Sequence, residues 1–158
     1  MNYIKINKTL DDEHRQIFNS LYQAYNLCNN SIVNNEDDYR VFKNLLLDGI
    51  QKIYSNAKKH WITEQRYFTD GLEMQPPLHK DVVDEIERHR MAHSSNLDKI
   101  KKFYNSVSNE NYTSQKNFLI QMYYTKNFII EIIDGIENHI KTMDSPHFSH
   151  WVKTTVYI

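Results

Sequence analysis

Seven side chains of this sequence could bind a metal ion, and they fall in four places. His14 closes the run Asp11-Asp12-Glu13-His14. His60 and Glu64 stand four apart, as do His89 and His93, and His139 is followed five residues later by Asp144. Helix positions four apart lie on one face, so such pairs can reach one ion or two neighbouring ions. Positions five apart are offset by about 140° on an ideal helix. Asp144 therefore joins His139 only if the last turn loosens, which Pro146 favours. A lone core histidine is more often a hydrogen-bonded core residue, and a His/Glu pair is more often a solvated contact. Five histidines and two carboxylates on the inner stripes of one domain are another matter. Burying that many unpaired polar groups is costly, and shared coordination removes the cost. Nitrogen and oxygen ligands without thiolate suit iron, manganese or zinc, and the spacing does not choose among them.

Four amphipathic segments must position these residues. The apolar periodicity predicts helices over about 11–34, 36–69, 78–107 and 113–144, with a tail over 145–158. Asp11 or Asp12 can cap the first helix, where Leu10, Ile17, Leu21, Ala24, Tyr25 and Cys28 form the stripe. Asn29-Asn30-Ser31 and Asn34-Asn35 mark its exit. Phe42, Leu45, Leu46, Gly49, Ile53 and Ala57 lead along the second helix to His60 and Glu64. Thr69-Asp70-Gly71 is expected to end it, before Pro76-Pro77. The third stripe carries Ile86, Leu97 and Ile100, and the fourth Phe118, Met122, Ile129, Ile132 and Ile136. Residues 1–10 are expected to form an extended arm. The fold class expected is all-α: an up-down-up-down antiparallel four-helix bundle with an extended N-terminal arm, in one domain over 1–158.

Composition agrees. Three glycines and three prolines in 158 residues are too few for a many-turned β-sandwich or barrel. The net charge of -1 gives no reason to expect nucleic acid or an anionic membrane as partner. The single Cys28 excludes an intrachain disulfide and any site built on several cysteines. No apolar run is long enough to span a membrane, and the first residues lack the apolar core of a secretory signal. A cytoplasmic location is expected.

Taken in order, the four motifs resemble those of the hemerythrin family, the bacterial and single-domain members in particular. Asp11 and His14 match an acid three residues before a histidine. His60-Trp61-Ile62-Thr63-Glu64 matches H-[FW]-x-x-E, and His89-Arg90-Met91-Ala92-His93 matches H-x-x-x-H. His139-Ile140-Lys141-Thr142-Met143-Asp144 matches H-I-x-x-x-D. The likeness runs from about Leu10 to Asp144. It implies a non-haem di-iron centre with an oxo or hydroxo bridge. By that likeness His89, His93 and His139 hold one iron, His14 and His60 hold the other, and Glu64 and Asp144 bridge them. Dioxygen would bind reversibly at the open position of the iron with only two histidines. Asp11, Glu85 and Gln65 are candidate acceptors for the second ring nitrogens of the ligands.

The chain also departs from the family. Gln65 stands where a second acid often follows the bridging glutamate. Gly135-Ile136 stands where Trp-Leu is common, and Asn96 where an aromatic often follows the second histidine of the third motif. Ile136 can still wall an apolar oxygen pocket. Gly135 either permits close packing, with a neighbouring aromatic filling the space, or opens a wider pocket to water and peroxide. His79, His147 and His150 do not match the ligand pattern and are expected at the surface.

The function expected from the resemblance is reversible dioxygen binding, for carriage, storage or supply. The alternatives are an enzyme that reduces peroxide or handles nitric oxide with an electron-donor protein, and an oxygen or redox sensor. No second cofactor-bearing or regulatory segment lies within the 158 residues, which places the binding protein first.

Overall fold

The computed structural model describes residues 3–73 and 80–141. Four helices account for nearly all of them: α1 (Tyr3–Asn30), α2 (Glu36–Glu73), α3 (Lys80–Asn109) and α4 (Gln115–His139). Local chemistry sets two of the starts. The Asn35 side chain accepts a hydrogen bond from the Asp38 amide at 2.8 Å, and Asp38 accepts one from the Asn34 amide at 3.0 Å. Glu36, Asp37 and Asp38 then complement the positive end of α2. Ser114 caps α4 by accepting from the Asn117 amide at 3.1 Å.

The extended N-terminal arm is not what forms. Residues 3–10 are the first two turns of α1, and Leu10 is buried as the first rung of its stripe. The acids at 11 and 12 suit a helix start, but nothing in residues 3–10 opposes a helix, neither Gly nor Pro. A helix that already buries Leu10, Ile17 and Leu21 gains by extending backwards. Likewise α2 runs through Thr69-Asp70-Gly71 to Glu73. Gly71 has no left-handed φ and so does not act as a C-cap.

Named contacts show the helix directions. Asn56 on α2 donates to the Gln16 carbonyl and the Ser20 hydroxyl on α1, both at 3.3 Å, while His60, further along α2, meets Glu13, earlier on α1. Lys43 near the start of α2 donates to the carbonyls of Ser108 and Glu110 at the end of α3, at 2.7 and 2.6 Å. Glu64 near the end of α2 meets His89 and His93 near the start of α3. Phe103 and Phe128 stack at 4.4 Å between α3 and α4, while His89 and His93 meet His139 at the end of α4. Each helix thus runs antiparallel to the one before it.

The core has two ends of different character. Where α1 ends and α2 begins, Tyr39, Phe42, Tyr112 and Phe118 pack ring against ring at centroid distances of 5.6–6.4 Å. A middle layer of Leu21, Leu46, Ile50, Ile53 and Ile129 is fully buried. Leu45, expected on the α2 stripe, is instead 52% exposed; Ile50 takes up the buried register. At the other end the layer turns polar, with buried His14, His60, Glu64, His89, His93 and His139. Among the described residues no helix is long and apolar enough to cross a membrane.

Candidate metal centre

Each helix delivers its polar side chains from a stripe that is otherwise apolar. His14 continues the α1 stripe one turn before Ile17. His60 and Glu64 follow Ile53 and Ala57 on α2. His89 and His93 lie between Ile86 and Ile100 on α3, and His139 follows Ile129, Ile133 and Ile136 on α4. The helical period that buries the core therefore also buries these six side chains at one level.

Glu64 is the centre of the arrangement and is fully buried. Its Oε1 lies 3.3 Å from Nε2 of His60. Its Oε2 lies 3.2 Å from Nε2 of His89 and 2.8 Å from Nε2 of His93. His139 Nε2 lies 2.9 Å from His93 Nε2 and 3.0 Å from His89 Nε2. Among the described residues two donor sets result: Glu64, His89, His93 and His139 form one, and His14, His60 and Glu64 form the other. Within each set the ligand atoms lie within 4.8 Å of one another. Glu64 belongs to both.

The residues fit metal ions. Both Glu64 oxygens are buried with no neighbour in hydrogen-bonding geometry, although ring nitrogens surround them. A buried carboxylate left in that state costs several kcal/mol. Two ligand nitrogens at right angles on an ion with bonds of about 2.1 Å sit about 3.0 Å apart. The His139–His93 and His139–His89 separations of 2.9 and 3.0 Å have that value. The donors are nitrogen and oxygen only, since Cys28 lies in the apolar core among α1 residues remote from the histidines. That set suits iron, manganese or zinc.

Electrostatics hold the donors in binding form. Burial pushes the His93 imidazolium down to about 4, against the pull of Glu64, so the ring is neutral near pH 7. Burial pushes the Glu64 carboxyl up, but the imidazoles of His60, His89 and His93 outweigh it and hold it below the ordinary carboxylate range. Glu13 is held low in the same way: burial raises it, and hydrogen bonds from His60 and Thr63 overcome that.

Glu13 is the residue that the sequence reading missed. It is buried, and its Oε2 lies 3.1 Å from His60 Nδ1 while its Oε1 accepts from the Thr63 hydroxyl at 2.8 Å. Asp11 and Gln65, two of the expected acceptors, are exposed, and Glu85 is half-buried. The signal was present in the α1 stripe: a step of three or four from Leu10 to Ile17 admits both Glu13 and His14. Trp61 was matched only as part of a motif. It stacks flat on His93, with centroids 4.8 Å apart and planes 11° from parallel.

Comparison with protein-family models, with curated proteins and with solved structures finds no significant match. The assignment of the centre therefore rests on its own atoms. Asp144, the other expected bridge, lies outside the described residues, as do His79, His147 and His150. Ile140 and Lys141 form a π-type turn directly after His139, and the residues from 142 on, where the His139–Asp144 spacing would be decided, lie outside the described residues. The two expected pocket residues are placed as follows. Ile136 is buried and walls a cavity of about 10 Å³ together with His14, Ile17, Ala57 and His60. Gly135 is exposed, and among the described residues no neighbouring aromatic fills the space at its α-carbon.

Proposed function

We propose that this chain is a hemerythrin-like protein that holds two iron ions and binds dioxygen reversibly. The observation that carries the reading is the sharing of Glu64 between two buried donor sets of unequal size. One set offers three histidines and the other two, so the second leaves more positions open to an outside ligand. When bound, two ferrous ions supply the two electrons that reversible dioxygen binding needs. Everything else is the work of the chain.

His14 and His60 lie with ring centroids 4.3 Å apart and define the open side. Ile17, Ala57 and Ile136 wall it, in a cavity with room for one water-sized molecule. Such a wall withholds protons and stray reductants from a small bound ligand. Glu13 holds the His60 ring by Nδ1, which turns Nε2 towards Glu64. Trp61 covers the outer face of His93. Asp144 completes the set as second bridging carboxylate, by the resemblance of His139-Ile140-Lys141-Thr142-Met143-Asp144 to the family's fourth motif.

A second reading, reduction of peroxide with an electron-donor protein, is favoured by Asn96. Its polar side chain joins the wall of the same small cavity, where the family often places an aromatic. One experiment separates the two. The protein is loaded anaerobically with iron(II), exposed to air, and then deoxygenated. A visible absorption band that appears with air and vanishes on deoxygenation supports reversible binding. Direct passage to a stable oxidised spectrum, with turnover of added peroxide, supports the enzyme. A protein that takes up no iron overturns both.

A further inference from the structure

Gly135 stands on α4 one turn before His139 and faces out of the bundle. A Cβ built there meets nothing within 4 Å. The open space belongs to a cleft of about 240 Å³ between α3 and α4, with Lys99 and Glu131 among its lining residues. The backbones of α3 and α4 approach each other less closely than those of the other neighbouring pairs. The cleft is thus a seam between α3 and α4 that Gly135, with no side chain, leaves unfilled at its position.

Trp61, Asn96 and Ile136 line this cleft, and the same three side chains line the small cavity beside His14 and His60. Among the described residues, this one layer of side chains therefore stands between the cleft and the open side of the candidate centre. We propose that this seam is the entry path for the ligand: Gly135 keeps its mouth open, and Ile136 with Asn96 forms its gate. Trp61 is the fixed wall, because it is buried and stacked on His93. Ile136 and Asn96 come from different helices across the loosely packed seam, so a rotamer change in either opens the layer. Such changes are fast. The path suits a small uncharged molecule of dioxygen size. A charged solute would shed its water shell against Ile132, Ile136 and Trp61 at high cost.

The identity of what lies at the inner end rests on the di-iron reading, but the path does not need the metal to be tested. Xenon is an uncharged probe of similar size. In the metal-free protein, xenon is expected to shift the indole N–H resonance of Trp61 and the amide of Gly135. In Gly135→Trp, whose new side chain enters open space and need not disturb the fold, the Trp61 shift is expected to disappear. In the iron-loaded protein, the same substitution should slow dioxygen association and dissociation together, by about tenfold. Ile136→Ala should speed both, an effect that poor folding would not imitate. Xenon that leaves Trp61 unmoved in the natural chain, or rates unaltered by Gly135→Trp, would overturn the path. A failure to load iron would instead overturn the metal reading, and the xenon result would still decide the path.

Discussion

Nδ1 of His60 lies 3.1 Å from Oε2 of Glu13, and that contact fixes which face of the ring points at Glu64. A neutral imidazole carries one N–H and one lone pair. With Nδ1 donating to a carboxylate, Nε2 carries the lone pair, and it stands 3.3 Å from an oxygen of a second buried carboxylate. A cation placed between that lone pair and the carboxylate would be held by both.

Replacing Glu13 should therefore weaken one side of the centre more than the other. Glu13→Ala leaves His60 Nδ1 without its acceptor, whereas the Thr63 hydroxyl keeps the Lys59 carbonyl at 3.1 Å. Loss of such an orienting partner typically lowers metal affinity about 10–100-fold. Titration with iron(II) should show a tight first site and a weakened second one, with Glu13→Gln intermediate. Equal weakening at both sites would contradict the orienting role.

Acid should destabilise the metal-free fold. The His93 imidazole titrates near 6.5 in an unfolded chain but is pushed down to about 4 in the folded one by burial. Between those values the unfolded state binds more protons, so stability falls as pH falls. The contribution is fully present above about 6.5 and is lost on descending towards 4. Glu13 and Glu64, both held below the ordinary carboxylate range, extend the loss to lower pH. The Tm of the metal-free protein should drop steadily across this window. A Tm that stays level or rises there would contradict the burial of a neutral His93.

The lone cysteine should be inert in the folded protein. Cys28 is buried, and its thiol is pushed up to about 12, by burial first of all. It is almost wholly protonated near pH 8, and the thiolate is the reactive form. A thiol reagent should label the native chain slowly and the denatured chain at once. Equal rates would place Cys28 at the surface.

Much of the fold was legible because one period serves two purposes. The spacing that makes Ile17, Leu21, Ala24 and Cys28 a core stripe also sets His14 inside, and the same holds for His60 after Ile53 and Ala57. Helix ends were less legible. Gly71 and the acids at 11 and 12 are weak local signals, and packing of Leu10 and continuity of α2 override them. Glu13 was missed because a contact between α1 and α2 depends on how two helices face each other, which no spacing within one helix records. The open seam at Gly135 was legible only as an alternative. Whether an aromatic fills the space depends on how far α3 stands from α4.

The most direct test of the account is a count of bound iron in the natural chain and in Glu64→Ala. Among the described residues Glu64 is the one side chain that belongs to both donor sets. Anaerobic loading should give two irons per chain in the natural protein and fewer than two in Glu64→Ala. Asp144→Ala should also fall below two, if the family likeness of the fourth motif holds. Iron content in Glu64→Ala equal to that of the natural chain would contradict the shared carboxylate, and with it the two-metal centre.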